Sequence, residues 1–305
     1  MNDTVGGART GGPRTGSVSR AVRGYLASRF PLPTQGTAIV LTFVSAQLLL
    51  DRAVGPVGLR WTGVLGVASF VLLFLQLRLV DDIDDLEQDG GAAGHTRSGL
   101  TYGWLTVVVG IVALNLLYPP ALGGALAAVA LTVLTPFWVK RRLTTRRVPL
   151  AVCYETIPLV VMAYPVLFWL SEGGVAPAAA PTAAVVVLFW AAYEFWKFSR
   201  KAPDLDYRPY RLGRDGVRAV LLALLCCAAA CVATIVVTLP VTWFFIIYQS
   251  VLLGLLIAWT AGEWAMAPPA ARASRLARAL GLAGLIYAVL LQFGVIVEAL
   301  LWTVG

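Results

Sequence analysis

Charged residues and histidine are scarce in this sequence. Asp, Glu, Lys and Arg make up 13% of the 305 residues, against about 25% in a typical soluble protein. His95 is the only histidine, and three of the four cysteines, Cys226, Cys227 and Cys231, lie in one apolar segment. Because no Cys-x-x-Cys pair lies near a histidine, we expect neither a zinc site nor a disulfide framework.

Long apolar runs are abundant instead, and 59% of the residues are hydrophobic. A membrane-spanning helix needs about 20 mostly apolar residues. Nine runs of about that length lie near residues 35–53, 57–79, 99–118, 120–138, 150–171, 178–196, 216–238, 240–262 and 277–303. They predict an all-α, polytopic membrane bundle of nine transmembrane helices, which occupies residues 34–305.

The first 33 residues differ from the rest of the chain. They are rich in glycine, serine, threonine and arginine, and they lack the apolar core of a signal peptide. This composition predicts a disordered cytoplasmic tail over residues 1–33.

The distribution of lysine and arginine predicts the orientation. With the N-terminus in the cytoplasm, only Arg52 and Arg60, of 24 basic residues, fall on the far side of the membrane. The positive-inside rule therefore predicts a multi-pass protein of the cytoplasmic membrane, with a cytoplasmic N-terminus. The formal charge of +8 then serves topology and attraction to anionic lipid, and we expect no nucleic-acid partner.

The segment DDIDDLEQD, residues 81–89, holds six of the 16 acidic residues. On a continued helix Asp81, Asp82, Asp85 and Asp89 share an arc of about 100°, with rungs about 6 Å apart along the axis. Asp84 and Glu87 fall outside that arc. We refer to the four residues that share the arc as the carboxylate ladder.

Such a ladder needs a cation, because carboxylates this close repel one another. Mg²⁺ suits it, since that ion takes one or two carboxylates, keeps waters and shares substrate phosphates. The simpler alternative is an acidic surface loop, which does not explain the spacing.

A second polar patch follows the sixth apolar run, in the segment YEFWKFSRKAPDLDYRPY at residues 193–210. On a continued helix, five side chains fall within an arc of about 120°: Tyr193, Glu194, Lys197, Arg200 and Lys201. Pro203 is expected to end the helix near residue 202, with Asp204 and Asp206 beyond it. A metal-bridged diphosphate would join the two patches; the alternative is that they neutralise each other as a salt-bridge network.

These motifs resemble those of the UbiA superfamily of intramembrane prenyltransferases. The family motif N-D-x-x-D-x-x-x-D after the second helix matches Asp82, Asp85 and Asp89, with Asp81 in the asparagine position. The segment TPFWVKRR at residues 135–142 is similar to the end of the family's fourth helix. The second family motif, D-x-x-x-D, is altered, because Phe198 and Lys201 stand about where its acids are expected.

The resemblance implies nine transmembrane helices, a Mg²⁺ cofactor and an isoprenyl diphosphate substrate. It implies catalytic roles for Asp81, Asp85, Asp89 and Lys201. The implied metal ligands are Asp81, Asp82, Asp85, Asp89 and Glu194. The residues expected to bind the diphosphate are Arg78, Lys140, Arg141, Tyr154, Tyr193, Lys197, Arg200 and Asp204. Aromatic candidates for stabilising an allylic cation are Tyr154, Tyr164, Trp190 and Tyr193.

Three functions remain open at this point. The first is a prenyltransferase that moves the isoprenyl group to a lipophilic or small-molecule acceptor. The second is a terpene cyclase of the same superfamily, which needs no acceptor and which the altered second motif favours. The third is an ion-coupled transporter, because intramembrane carboxylates often mark ion pathways. A CDP-alcohol phosphotransferase also uses D-x-x-x-D, but the array of residues that accompanies it is missing here.

Overall fold

The computed structural model describes residues 23–28, 30–54, 60–86, 96–134, 157–172, 179–201, 213–266 and 273–304. The chain divides into two compact units, Met1–Thr37 and Ala38–Gly305. In the first unit residues 23–28 are helical and Leu32–Gly36 form a π-helical turn. The predicted disordered tail is thus described only from residue 23 onward.

Helices account for the regular structure of the described residues, and no strand occurs among them. They are α1 Thr37–Val54, α2 Gly63–Asp85, α3 Arg97–Leu116, α4 Leu122–Leu134, α5 Tyr164–Ser171, α6 Ala179–Lys201, α7 Gly213–Thr238, α8 Trp243–Met266 and α9 Ala273–Val304. A 3₁₀ turn, Pro119–Ala121, precedes α4, and residues 157–162 form a helical segment before α5. Each of the nine predicted apolar runs overlaps one of these helices, so the all-α class is confirmed.

Five helices contain a stretch long and apolar enough to cross a membrane, counted over the described residues. These stretches are Gly63–Ile83, Arg97–Leu116, Ala179–Ser199, Gly216–Thr238 and Trp243–Gly262. Shorter apolar helices cover Pro119–Leu134, Ile157–Ser171 and Tyr287–Trp302. Many large apolar side chains are exposed on the surface, among them Val64, Val109, Val237 and Leu255. Such a surface suits contact with lipid, and the structure is compatible with a multi-pass membrane protein.

The helix ends follow local sequence signals. Helix α7 ends at Thr238, two residues before Pro240, since proline restricts the residue before it and cannot donate a backbone hydrogen bond. Helix α3 begins after Thr96, whose backbone is extended and whose Oγ1 accepts a hydrogen bond from the Gly99 amide at 3.2 Å. That contact is an N-cap, which satisfies one of the free amides at the helix start.

Helices α2 to α5 pack on one another, and so do helices α6 to α9. The second group is closely packed at Gly284 of α9, where an added Cβ would lie 2.9 Å from the Cα of Trp196 in α6. Helix α1 contacts both groups. Its Gln47 donates to the Pro165 carbonyl of α5 at 2.7 Å, and its Thr42 accepts from Gln292 of α9 at 2.8 Å. Helix α1 therefore joins the two groups.

Candidate active site

Helix α2 carries the first part of the carboxylate ladder. It continues through Asp85, beyond the apolar run, so the predicted helical spacing is confirmed for the backbone positions of Asp81, Asp82 and Asp85. The next backbone bond, from the Leu86 amide to the Asp82 carbonyl at 3.2 Å, keeps the helical pattern. Asp89 lies outside the described residues.

Arg78, one turn before the ladder, pairs with two of its members. Its Nη1 lies 2.8 Å from Oδ2 of Asp81, and its Nη2 lies 2.7 Å from Oδ1 of Asp82. Asp82 is 8% exposed, whereas Asp81 is 46% exposed. Asp81 is therefore the more accessible carboxylate, and Asp82 is a buried one neutralised by a cation of its own helix.

Helix α6 carries the second patch and runs to Lys201, close to the predicted end near residue 202. Glu194 is 1% exposed, and its Oε2 lies 3.2 Å from the Nζ of Lys197, which is 20% exposed. A buried carboxylate thus holds a partly exposed ammonium group. This pair lies within α6, and the pairs of Arg78 lie within α2. The alternative of a salt-bridge network between the two patches stays a prediction.

Helices α2 and α6 meet just below these charged residues. The rings of Phe74 and Tyr193 have centroids 5.6 Å apart. Phe74 lies two turns before Asp81, and Tyr193 directly precedes Glu194 in the chain. The contact joins the helix that carries the ladder to the helix that carries Lys197, two turns before Asp81 and one turn before Lys197. We term the charged ends of these two helices the acidic end.

Aromatic rings continue from that contact into the bundle. Phe74 packs edge-on against Phe70 with centroids 5.1 Å apart, and Phe70 stacks on Tyr164 at 6.2 Å. Tyr164 in turn contacts Phe168 at 6.1 Å, and Tyr193 contacts Trp196 at 5.9 Å. We refer to these six rings as the aromatic row: Trp196, Tyr193, Phe74, Phe70, Tyr164 and Phe168.

The position of Tyr164 in the aromatic row is fixed by hydrogen bonds. Its hydroxyl donates to Oδ1 of Asn115 in α3 at 3.0 Å, and Nδ2 of Asn115 donates to Oγ of Ser69 in α2 at 2.9 Å. All three side chains are buried. Buried polar groups that satisfy one another hold three helices in one arrangement, so these bonds fix the position of the Tyr164 ring.

The sequence analysis names Tyr164 and Tyr193 of this row but misses the other four rings, Phe70, Phe74, Phe168 and Trp196. A usable signal was present, because Phe70, Phe74, Arg78 and Asp82 follow one another at intervals of four. Residues four apart are neighbours on a helix surface. The stripe that leads from apolar rings to charged groups could therefore have been read from the sequence of α2.

Most of the other predicted site residues lie partly or wholly outside the described part of the chain. The backbones of Asp85, Arg200 and Lys201 lie at the ends of α2 and α6, and their side chains are outside the described set. Trp190 lies on α6 and is partly buried. Five predicted residues fall wholly outside the described ranges: Asp89, Lys140, Arg141, Tyr154 and Asp204.

Within the described residues, no group of three His, Cys, Asp or Glu side chains is placed to hold a metal ion. The described donors of the ladder are the carboxylates of Asp81 and Asp82. Two carboxylates completed by waters and phosphate oxygens are the usual donor set of Mg²⁺ in proteins. The donor chemistry of this helix end therefore fits Mg²⁺, with Asp81 the more accessible carboxylate.

Buried charges at the other end of the bundle were also missed. Arg52 and Glu298 are 7% and 2% exposed, and Nε of Arg52 lies 4.0 Å from Oε1 of Glu298. The Arg52 guanidinium stacks over the Trp302 ring at 3.6 Å. Glu298 also accepts hydrogen bonds from the backbone amide and the hydroxyl of Thr242. These contacts join α1 and α9 to the start of α8.

A second buried carboxylate lies at the same end. Asp51 of α1 accepts a hydrogen bond from Nε1 of Trp169 in α5 at 2.8 Å. Nearby on α5, Glu172 accepts from the Thr62 hydroxyl before α2. We term this the opposite end, and its carboxylates all bind donors from other segments of the chain.

Comparisons with known proteins give no relative. No protein-family model matches this sequence, and neither a curated protein nor a solved structure matches it. The function is therefore argued from the residues and their geometry.

Proposed function

We propose that this protein is a Mg²⁺-dependent intramembrane enzyme that ionises an isoprenyl diphosphate and transfers the prenyl group to an acceptor. One observation carries the proposal. The Phe74–Tyr193 contact supports it, because that contact joins the helix of the carboxylate ladder to the helix of Lys197 beside the aromatic row. Charged groups for a diphosphate and apolar rings for its hydrocarbon chain are thus adjacent.

The reaction begins when the bond between the allylic carbon and the diphosphate oxygen breaks, and the electron pair leaves with the diphosphate. Arg78 and Lys197 donate hydrogen bonds to its oxygens, and such charge-assisted bonds stabilise the developing negative charge. Bound Mg²⁺, held by the carboxylate ladder, would neutralise further charge on the leaving group. No protein nucleophile is needed.

The aromatic row acts on the other product of ionisation. Ring faces attract cations, and the buried rings of Phe70, Phe74 and Tyr164 exclude water from the allylic cation. An acceptor nucleophile then forms a bond to the cationic carbon and releases a proton. Without an acceptor, a double bond of the prenyl chain itself would attack that carbon, and the new cation would lose a proton, which is the reaction of a terpene cyclase.

The transporter hypothesis is less well supported. Transporters typically bind their ions near the membrane midplane on discontinuous helices. Here α2 is continuous from Gly63 to Asp85 and the ladder lies at its end. The buried carboxylates of Asp51 and Glu298 bind donors from neighbouring segments, which is the pattern of structural contacts.

The deciding experiment incubates the purified full chain and Mg²⁺ with C10, C15 and C20 prenyl diphosphates. Diphosphate release is measured, and lipid extracts are analysed by mass spectrometry with and without added membrane extract as the source of acceptor. A transferase gives a prenylated product only with the extract, whereas a cyclase gives a cyclic terpene hydrocarbon without it. If none of the three substrates loses its diphosphate, the proposal is wrong.

We further propose nine transmembrane spans, with the N-terminus and the acidic end in the cytoplasm. The support is the lysine and arginine distribution, with only two of 24 basic residues on the far side. An impermeant thiol reagent applied outside should label a cysteine introduced at residues 172–177 and spare one introduced at 143–146. The opposite labelling would reverse the orientation.

A further inference from the structure

Arg78 lies between the two ladder residues with which it pairs. Around the axis of α2, the angular position of Arg78 lies between those of Asp81 and Asp82, which are about 100° apart. It reaches them with separate nitrogens, at 2.8 and 2.7 Å. A planar guanidinium with five donors suits such a bridge, and a lysine ammonium, a single point charge, does not.

This bridge uses carboxylate oxygens that a metal ion would need. Mg²⁺ binds through one or two carboxylates, and both described carboxylates of the ladder hold Arg78. Arg78 takes one oxygen of each carboxylate, so a divalent ion that binds both carboxylates competes with a cation that is covalently tethered to the same helix. Metal binding to the protein alone is weakened by that competition.

A diphosphate offers Arg78 a second partner. Guanidinium groups bind phosphate with the same paired hydrogen bonds that they make to carboxylates. The Arg78 side chain is 33% exposed, so it has access to a ligand at the acidic end. If the Arg78 guanidinium moved to the phosphate, both carboxylates would become free to bind the metal ion that arrives with the diphosphate.

We infer that Arg78 is a built-in counter-ion that holds Asp81 and Asp82 until a metal–diphosphate complex arrives and then transfers to the phosphate. The inference rests on the proposed function, and it makes metal and diphosphate bind cooperatively. Linkage requires the effect to be reciprocal: diphosphate tightens metal binding by the factor by which metal tightens diphosphate binding.

The test measures Mn²⁺ binding to the full chain in detergent by electron paramagnetic resonance, without any diphosphate. We expect Arg78→Gln to bind Mn²⁺ about 10-fold more tightly than the parent, a coupling of ordinary size. Mn²⁺ should also raise the melting temperature of Arg78→Gln more than that of the parent. Arg78→Lys should fall between the two proteins, because an ammonium neutralises the carboxylates without bridging them.

Arg218→Gln is the matched control. It removes one positive charge from α7, where Nη2 of Arg218 donates to the Ala261 carbonyl at 3.2 Å. Its Mn²⁺ affinity should equal that of the parent. If Arg78→Gln does not fold, the comparison of Arg78→Lys with the parent decides the question in the same assay.

A second arm adds an unreactive prenyl thiolodiphosphate, with analogue-only samples to correct for chelation. It should tighten Mn²⁺ binding about 10-fold in the parent and less in Arg78→Gln. Equal Mn²⁺ affinities for parent and variant, with normal diphosphate release, would overturn the counter-ion inference and leave the proposed function standing. Absence of Mn²⁺ binding in every sample, together with absence of turnover, would instead reject the proposed function.

Discussion

The two ends of the bundle handle charge in different ways. At the acidic end three ion pairs form within single helices: Arg78 with Asp81 and with Asp82 on α2, and Lys197 with Glu194 on α6. At the opposite end the contacts join different segments, as when Glu298 of α9 binds Thr242 before α8 and approaches Arg52 of α1.

The difference separates a role in ligand binding from a role in stability. A pair within one helix ties no helices together, and a side chain such as that of Asp81 or Lys197 keeps some exposure. A buried pair between helices is costly to break, because removing one partner leaves the other charge without compensation. We therefore expect substitutions at the acidic end to change activity and those at the opposite end to change stability.

The largest expected effect on activity is at Asp81. Asp81→Asn should lower diphosphate release about 100- to 1,000-fold, the usual cost of losing a group that stabilises charge in the transition state. The control is Asp84→Asn, whose position on α2 lies outside the arc of the ladder, and it should be much milder. Both variants should melt near the parental temperature. Equal loss of activity in the two would contradict the ladder.

The largest expected effect on stability is at Glu298. Glu298→Ala should lower the free energy of unfolding by about 3 kcal/mol, because it leaves the Arg52 charge buried without its carboxylate partner. Thermal unfolding in detergent measures this loss. Glu298→Gln keeps an acceptor for Thr242 and should lose less.

Diphosphate release from the folded fraction of Glu298→Ala should stay close to the parental rate. A variant that keeps the parental melting temperature but loses turnover would reverse the assignment of the two ends.

A smaller effect is expected at Lys197. Lys197→Ala should slow diphosphate release about 10-fold, the low end for losing a hydrogen bond from a charged group, because the ammonium is partly exposed to solvent. Lys197→Arg should recover part of the rate, with Arg218→Gln again as the charge-matched control. A parental rate in Lys197→Ala would mean that this patch only neutralises Glu194.

Much of the architecture was predictable because membrane helices leave a simple signal. Apolar runs of about 20 residues are long enough to span a bilayer, and every run that we identified overlaps a helix of the structure. The carboxylate ladder was also predictable, since helical spacing alone places Asp81, Asp82 and Asp85 on α2. The number of spans and the orientation stay predictions.

Contacts between distant segments were not predictable in the same way. Trp169 donates to Asp51 across 118 residues of sequence, and no local pattern pairs a tryptophan with one particular carboxylate. Arg52 had been interpreted only as a charge outside the membrane. Its burial against Trp302 and Glu298 depends on how α1 and α9 pack.

The sequence by itself determined the helices, the ladder on α2 and the second polar patch on α6, because these depend on residues that are close in the chain. Only the tertiary structure decided that Phe74 meets Tyr193 and that the rings of three segments form one row. It also decided that Asp82 and Glu194 are buried while Asp81 stays accessible. The physical reason is that exposure and contacts between helices depend on which faces pack together. The helical period shows which residues share a face, but it does not show which other helix that face will contact.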